Sequence, residues 1–432
     1  MIVLVIVLLL GVSTLVWSVT GIARLLFEQR RATGTRARSH PGIGEVAVLM
    51  AAHNEAEVIG EALEAATGIV EPGQVFVVSD GSKDATAQVA RALGVNVIAL
   101  PENVGKAAAL EAGIEHFRLL ERFQVVTFLD ADTRLSPDYF TTGLPLFDDD
   151  SVAAVAGRAT TLARSATAVG RFLLYYRERL YVMVQYLHKY GQAAPAVNAV
   201  SVVPGFASMY RTRALRHIDI AVEGLAIEDF NMTFEVHAKR LGRVAFHPAR
   251  AVAQTQDPDT VRDYCRQMAR WSLGFWQTLI RHRASVRLRA FWAALALFAV
   301  EMLSGSVLLL LLPAFLVLWS AAWGVRTLGL DPGGSAGDVA ALPVGWVLLA
   351  LFVADYLLTV VVAAITRDPR YLILGLAFPI VRVVDAVLCV RSLLGAAITR
   401  SDGIWESPRR RAGASTAVRA FASTHERDQV RA

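Results

Sequence analysis

Apolar residues in this chain are gathered into runs too long for a water-exposed fold. Residues 1–20 are almost uninterrupted Ile, Val and Leu, and residues 291–324 and 342–366 are similar. Each can cross a hydrocarbon core, which needs about 20 consecutive apolar residues. A hydrophobic fraction of 54% and a mean hydropathy of +0.44 agree, and they exclude an ordinary soluble enzyme. Between these runs lies a polar block, residues 40–285. The expected architecture is a multi-pass protein of the cell membrane carrying one large polar domain.

Charge orients it. The first run lacks the basic leader and small-residue cleavage site of an exported signal, and Arg24, Arg30, Arg31, Arg36 and Arg38 follow it, so residues 1–22 read as a retained transmembrane anchor. Basic flanks face the cytoplasm, which places the polar block there and the N-terminus outside. The net charge of +5 sits beside apolar segments and in a basic tail, residues 407–432, expected to be disordered. Anionic membrane lipids explain that charge better than nucleic acid. Only Cys265 and Cys389 occur, so neither a disulfide framework nor a thiolate metal site is suggested. Residues 291–398 should form transmembrane and interfacial helices. A cytoplasmic block and a cytoplasmic tail require an even number of crossings between them. The run 371–398 carries Pro379, Arg382, Asp385 and Arg391 and is read as interfacial, leaving two crossings. The alternative is a hairpin in 291–324, broken at Pro313.

Within the block, short apolar runs at 46–50, 75–79, 95–100 and 125–129 alternate with helical patterns at 55–67, 84–93 and 106–120. Such alternation predicts an α/β domain on a mostly parallel, Rossmann-like sheet. Ligands of such sheets sit beyond the carboxyl ends of the strands, where Asn54, Asp80 and Asp130 fall. Two further helices, near 166–191 and 260–289, mix aromatic and basic residues and read as interfacial, with arginines reaching toward headgroups.

The polar residues at that rim suggest chemistry. Asp80, before Gly81, can accept from a ribose hydroxyl or a uracil edge, although Asn54 or Asp80 alone could merely cap a helix. Asp130 and Asp132 lie one residue apart, and extended backbone would point both the same way, as a divalent cation carrying phosphate requires. Acidic turns are also common without any metal. Lys106 opens a helix and could meet a phosphate or Asp132. The segment around it is not a phosphate-binding P-loop, because Ala107 stands where Ser or Thr is needed. Glu228-Asp229 begins a helical pattern, where a carboxylate can take a proton from an attacking hydroxyl or simply favour the helix dipole. Helical spacing puts Gln267, Arg270 and Trp271 on one face, presenting an amide, a guanidinium and a flat aromatic surface suited to a diphosphate beside a sugar ring.

Taken in order, Ala52-His53-Asn54-Glu55, Asp80-Gly81-Ser82, Asn103-Val104-Gly105-Lys106-Ala107, Asp130-Ala131-Asp132, Gly205, Glu228-Asp229 and Gln267 with Arg270-Trp271 resemble a membrane-bound family 2 glycosyltransferase of the GT-A fold, the group holding cellulose, hyaluronan and poly-N-acetylglucosamine synthases. The likeness covers about residues 45 to 285. It implies that Asn54, Glu55, Asp80, Lys106, Asp130, Gln267 and Arg270 serve a UDP-sugar donor, with Asp80 on the uridine. It further implies that Asp132 and Asp130 hold Mg²⁺ or Mn²⁺ and that Asp229 is the general base, with Glu228 and Trp271 on the acceptor side. Ile227 and Met268 depart from the pattern, since Thr often precedes the acidic pair and a basic residue often follows the glutamine.

The implied function is an inverting, metal-dependent transfer to a polysaccharide hydroxyl at the cytoplasmic membrane face, processive because an aromatic platform can hold a terminal sugar. Single transfer to a lipid or glycolipid is the alternative. A membrane receptor that only binds nucleotide sugar is a further rival, while few, non-repeated spans count against a transporter.

Overall fold

The computed structural model describes residues 11–31, 40–162, 165, 167–284, 289–330, 334–399 and 401. The first half of the N-terminal apolar run, Arg36, Arg38 and the basic tail lie outside the described residues.

The four apolar runs of the polar block are strands: β1 (Val46–Ala52), β2 (Val75–Asp80), β3 (Asn96–Leu100) and β4 (Val125–Leu129). Six shorter strands follow, namely β5 (Thr133–Leu135), β6 (Val152–Ala156), β7 (Arg158–Thr161), β8 (Ala207–Arg211), β9 (Arg243–Ala245) and β10 (Val252–Thr255). Seven of them form one sheet in the order β3-β2-β1-β4-β8-β6-β9, parallel except where β8 runs against β4 and β6. The remaining three form a small sheet, β5-β10-β7.

Side chains alternate across the large sheet as extended backbone dictates. Val46, Val48 and Met50 of β1 pack with α2 (Ile59–Thr67) and α3 (Thr86–Ala92) on one face. Ala47 and Leu49 meet α4 (Lys106–His116) on the other. Burial on both faces explains why these strands read as unbroken apolar runs. Helices α2 and α3 begin later than their patterns suggested, at Ile59 and Thr86, because the residues before them are held in the loops beyond β1 and β2.

Besides several short helical turns, the longer helices among the described residues are α1 (Val12–Arg31), α5 (Ala168–Val182), α6 (Glu228–Ala238), α7 (Val261–Arg281), α8 (Arg289–Thr327), α9 (Val344–Thr366) and α10 (Phe378–Ala396). The chain after α5 continues as a wide π-helical stretch, Met183–Lys189. Helix α1 docks there: a side chain at Gly191 would collide with the Trp17 carbonyl. Arg24 lies 4.3 Å over the Tyr190 ring and donates to the carbonyls of Tyr190 and Phe246.

Two expectations are corrected here. Arg177 and Arg179 do not anchor α5 at a membrane surface, because both are only 1% exposed. Arg177 pairs with Asp257, and Arg179 with Asp355 of α9 at 2.6 Å. Each carboxylate arrives from a distant part of the chain, so only the fold supplies the partner that makes burial of an arginine tolerable. The hairpin alternative also fails, since α8 runs unbroken through Pro313. At 1.5 Å per residue its 39 residues span about 58 Å.

Among the described residues, three helical segments are long and apolar enough to cross a membrane: 290–327, 344–366 and 370–396. Both ends of the third return to the catalytic side of the molecule. Near its start Tyr175 of α5 donates to Asp368 at 2.8 Å, and beyond its end Ser401 pairs with Gly224 while Gln277 of α7 donates to the Thr399 carbonyl at 2.9 Å. Between them, Asp385 of α10 accepts from Tyr176 at 2.7 Å and from Tyr264 at 2.6 Å.

Candidate active site

The site begins where β1 and β2 end. Gly81 has φ +58°, and a Cβ there would strike the backbone of Glu102 and Asn103, so the turn after Asp80 needs glycine. Asp80 is buried, and its carboxylate accepts from the amides of Val104 at 2.8 Å and Gly105 at 3.0 Å. Burial raises its pKa, against the lowering effect of those two amides. The carboxylate thereby fixes the segment that launches α4 while still facing the cavity. His53, absent from the expected set, donates from Nδ1 to the Asp80 carbonyl and faces the same space.

Asn54 departs from its expected role as a donor contact. It is exposed, adopts φ +56°, and accepts from the Lys83 amide at 2.8 Å while its own amide donates to Ser82 Oγ at 3.1 Å. It clasps two strand-end loops and does not line the cavity. Glu55 is buried, lines the cavity, and donates its backbone amide to Thr86 Oγ1 at 2.8 Å.

Asp130 and Asp132 do not lie on extended backbone. The Thr133 amide donates to the Asp130 carbonyl at 3.0 Å, closing a turn between β4 and β5. Both carboxylates nonetheless reach the cavity. Asp132 is buried and accepts from Thr133 Oγ1 at 3.1 Å. Lys106 passes over Asp132 and instead bridges Asp130 and Glu228, with Nζ 2.8 Å from each. Burial acts to lower its pKa, but the two carboxylates outweigh this and hold it well above the usual lysine range.

Glu228 and Asp229 open α6, so adjacent carboxylates share a half-buried corner. Their environments separate them. Burial acts to raise the Glu228 pKa, but Lys106 beside it wins and Glu228 stays ionised. Burial and the neighbouring Glu228 charge push Asp229 up to about 7. The Gly205 amide donates to Asp229 Oδ2 at 3.3 Å, whereas Oδ1 is buried without a hydrogen-bond partner. A buried acceptor with no donor is costly unless something meets it, which marks Oδ1 as open to a substrate hydroxyl.

On α7, Gln267, Arg270 and Trp271 face the cavity together, as helical spacing predicts. Gln267 Oε1 is likewise buried without a partner, and Arg270 adds to the field that keeps Glu228 ionised. Behind Trp271 stands Arg177, 4.4 Å from the ring centroid, with Nη1 3.1 Å from Met268 Sδ. A cation therefore occupies the space beside Met268, but another helix delivers it. Sequence reasoning missed Arg177, Tyr181, Asp257 and Lys189, all cavity-lining, because their partners lie on other elements.

The cavity is continuous and large, about 1720 Å³, running from Asp80 past Asp229 and Trp271 to Leu308, Leu309 and Leu351 between the apolar helices. The hard oxygens of Asp130 and Asp132 on one turn fit Mg²⁺ or Mn²⁺. Among the described residues no three acidic, histidine or cysteine side chains gather for a metal, so a cation here would take its other ligands from diphosphate and water.

Comparison with known proteins agrees with this geometry. Residues 41–274, more than half of the chain, match the family described as Glycosyltransferase like family 2. The chain is 26% identical over 245 residues to a probable glycosyltransferase, YdaM, of Bacillus subtilis, covering 53% of this chain and 55% of that protein. It is 30% identical over 213 residues to an N-acetylglucosaminyltransferase of Mesorhizobium japonicum, covering 46% and 47%. The chain spans about half the length of these curated relatives. In fold it is similar to the mannosyltransferase PcManGT from Pyrobaculum calidifontis, solved with GDP-Man and Mn²⁺, at a TM-score of 0.54 and 17% identity over 88% of this chain and 99% of that one. The sheet domain has the GT-A fold, and the chain belongs to glycosyltransferase family 2.

Proposed function

We propose that this enzyme transfers a sugar, with inversion, from a UDP-sugar to a hydroxyl of a growing glycan at the cytoplasmic face of the cell membrane. One observation carries the reading: the unpartnered Oδ1 of Asp229 shares a cavity with the Asp130-Asp132 turn on one side and with Trp271 on the other. Asp229 accepts the proton of the attacking hydroxyl, while Glu228, held ionised by Lys106, keeps the base strong. Arg270 and Gln267 orient the donor diphosphate, and Asp80 sits where the uridine enters. A divalent ion held by Asp132 and Asp130 would neutralise charge on the departing diphosphate. Preorganised charge of this kind is the largest expected contribution to rate.

In this reading α8 and α9 cross the membrane. The segment 370–396 lies along the headgroup side of α7, since both of its ends touch the catalytic side. The cavity exceeds the roughly 300–1,000 Å³ of a single small-molecule pocket, which supports a donor together with an extended acceptor. A second reading, transfer to one lipid-linked acceptor, is favoured by the aliphatic wall of Leu297, Leu308, Leu309, Leu351 and Leu388.

Four outcomes are expected. Asp229→Asn lowers turnover by about 10²–10⁴-fold while UDP binding persists, measured by UDP release and equilibrium binding; retained turnover removes Asp229 as the base. The kcat/KM for transfer falls as pH drops through about 7, where Asp229 takes up a proton, and Glu228→Gln moves that limb to lower pH by deleting the charge that raises it. A limb that stays put under this substitution contradicts the pairing. Asp132→Ala abolishes the stimulation of UDP binding by Mn²⁺ seen in titration calorimetry, and unchanged affinity counts against a metal there. Radiolabelled UDP-sugar in purified membranes yields a ladder of products, whereas one discrete lipid adduct establishes the second reading instead.

A further inference from the structure

We infer that Arg177 is the positioning residue that sets the plane of Trp271 for stacking against the acceptor sugar, an inference resting on Trp271 being the acceptor platform. Arg177 belongs to α5, outside every stretch the transfer chemistry draws upon. Its guanidinium carbon lies over the Trp271 ring, 4.4 Å from the centroid, within reach of a cation–π contact.

The guanidinium cannot drift. Nε donates to Asp257 at 3.0 Å and Nη2 donates to the Tyr181 hydroxyl at 2.8 Å. That hydroxyl donates onward to the same Asp257 oxygen at 2.8 Å, and Thr161 Oγ1 holds the other oxygen at 2.9 Å. Arg177 and Asp257 are both nearly inaccessible, so the charge is neutralised within the cluster and none is presented to an uncharged sugar.

A buried ion pair stabilises little relative to an apolar filler of the same shape, so its retention here is better explained by what it holds than by stability. An indole on one helix rotates about two side-chain torsions. Arg177 holds one face of it, and both side chains line the cavity that contains Asp229. Lysine would keep the charge beside Asp257 but has no plane to stack.

The test uses the full chain in detergent or native membranes, with UDP release followed against separate titrations of donor and acceptor glycan. Arg177→Lys is expected to raise the acceptor KM about tenfold, with donor KM and saturating kcat little moved. Trp271→Ala raises acceptor KM as well, and the double variant is no worse than Trp271→Ala alone, because the two side chains act as one unit. If Trp271→Ala weakens acceptor and Arg177→Lys does not, the positioning role is overturned while the acceptor reading stands. If Trp271→Ala leaves the acceptor KM unmoved, the acceptor reading itself fails. A proportional loss in kcat and both KM values shows a merely structural arginine. Should Arg177→Lys not fold, Tyr181→Phe removes one anchor and decides the matter: a raised acceptor KM supports the inference, and an unchanged one overturns it.

Discussion

The ammonium of Lys106 is the interaction on which the site depends. It lies 2.8 Å from a carboxylate at the end of β4 and 2.8 Å from another at the start of α6, elements almost a hundred residues apart. Without it, Asp130, Glu228 and Asp229 would crowd one hollow with like charge, and the cheapest relief would be to protonate them indiscriminately. With it, Glu228 remains ionised and its charge falls on Asp229, where burial and that charge outweigh the lowering effect of Lys106. Two adjacent carboxylates of nearly identical chemistry are thereby driven to opposite protonation behaviour. That separation is what an acid–base site needs.

The same logic operates where the catalytic domain meets the apolar helices. Arg177 and Arg179 are placed by α5 inside the molecule, and each is met by a carboxylate: Asp257 from the loop after β10, and Asp355 from α9. Asp385 of α10 then takes hydroxyls from both α5 and α7. Polar groups that would be costly facing hydrocarbon are spent on ties between helices. These ties hold α7, and with it Gln267, Arg270 and Trp271, at a fixed height above the sheet.

Much of the fold was legible because physics leaves marks in single segments. A strand covered on both faces must be an apolar run, so β1, β2 and β4 could be read within a residue or two of their ends. The short strands β5, β7 and β9 were not, since three or four residues carry no period to detect. For the site, placement that follows from local spacing was legible: Gln267, Arg270 and Trp271 do share a face. Residues whose role follows from a partner far along the chain were not. Asn54 looked like a ligand contact from its strand end, yet the neighbouring Ser82-Lys83 loop takes its hydrogen bonds. Arg177 looked like a membrane anchor because Asp257 stands 80 residues away.

At Asp130-Ala131-Asp132 the two carboxylates share the cavity for a reason other than the one their spacing suggested. Extended backbone would have aimed both carboxylates alike, but the chain bends here to enter β5, which pairs with β10 and so leads toward Asp257 and α7. The bend brings the two carboxylates to the cavity by another route, and through the pairing of β5 with β10 it ties that turn to the strand that leads to Asp257.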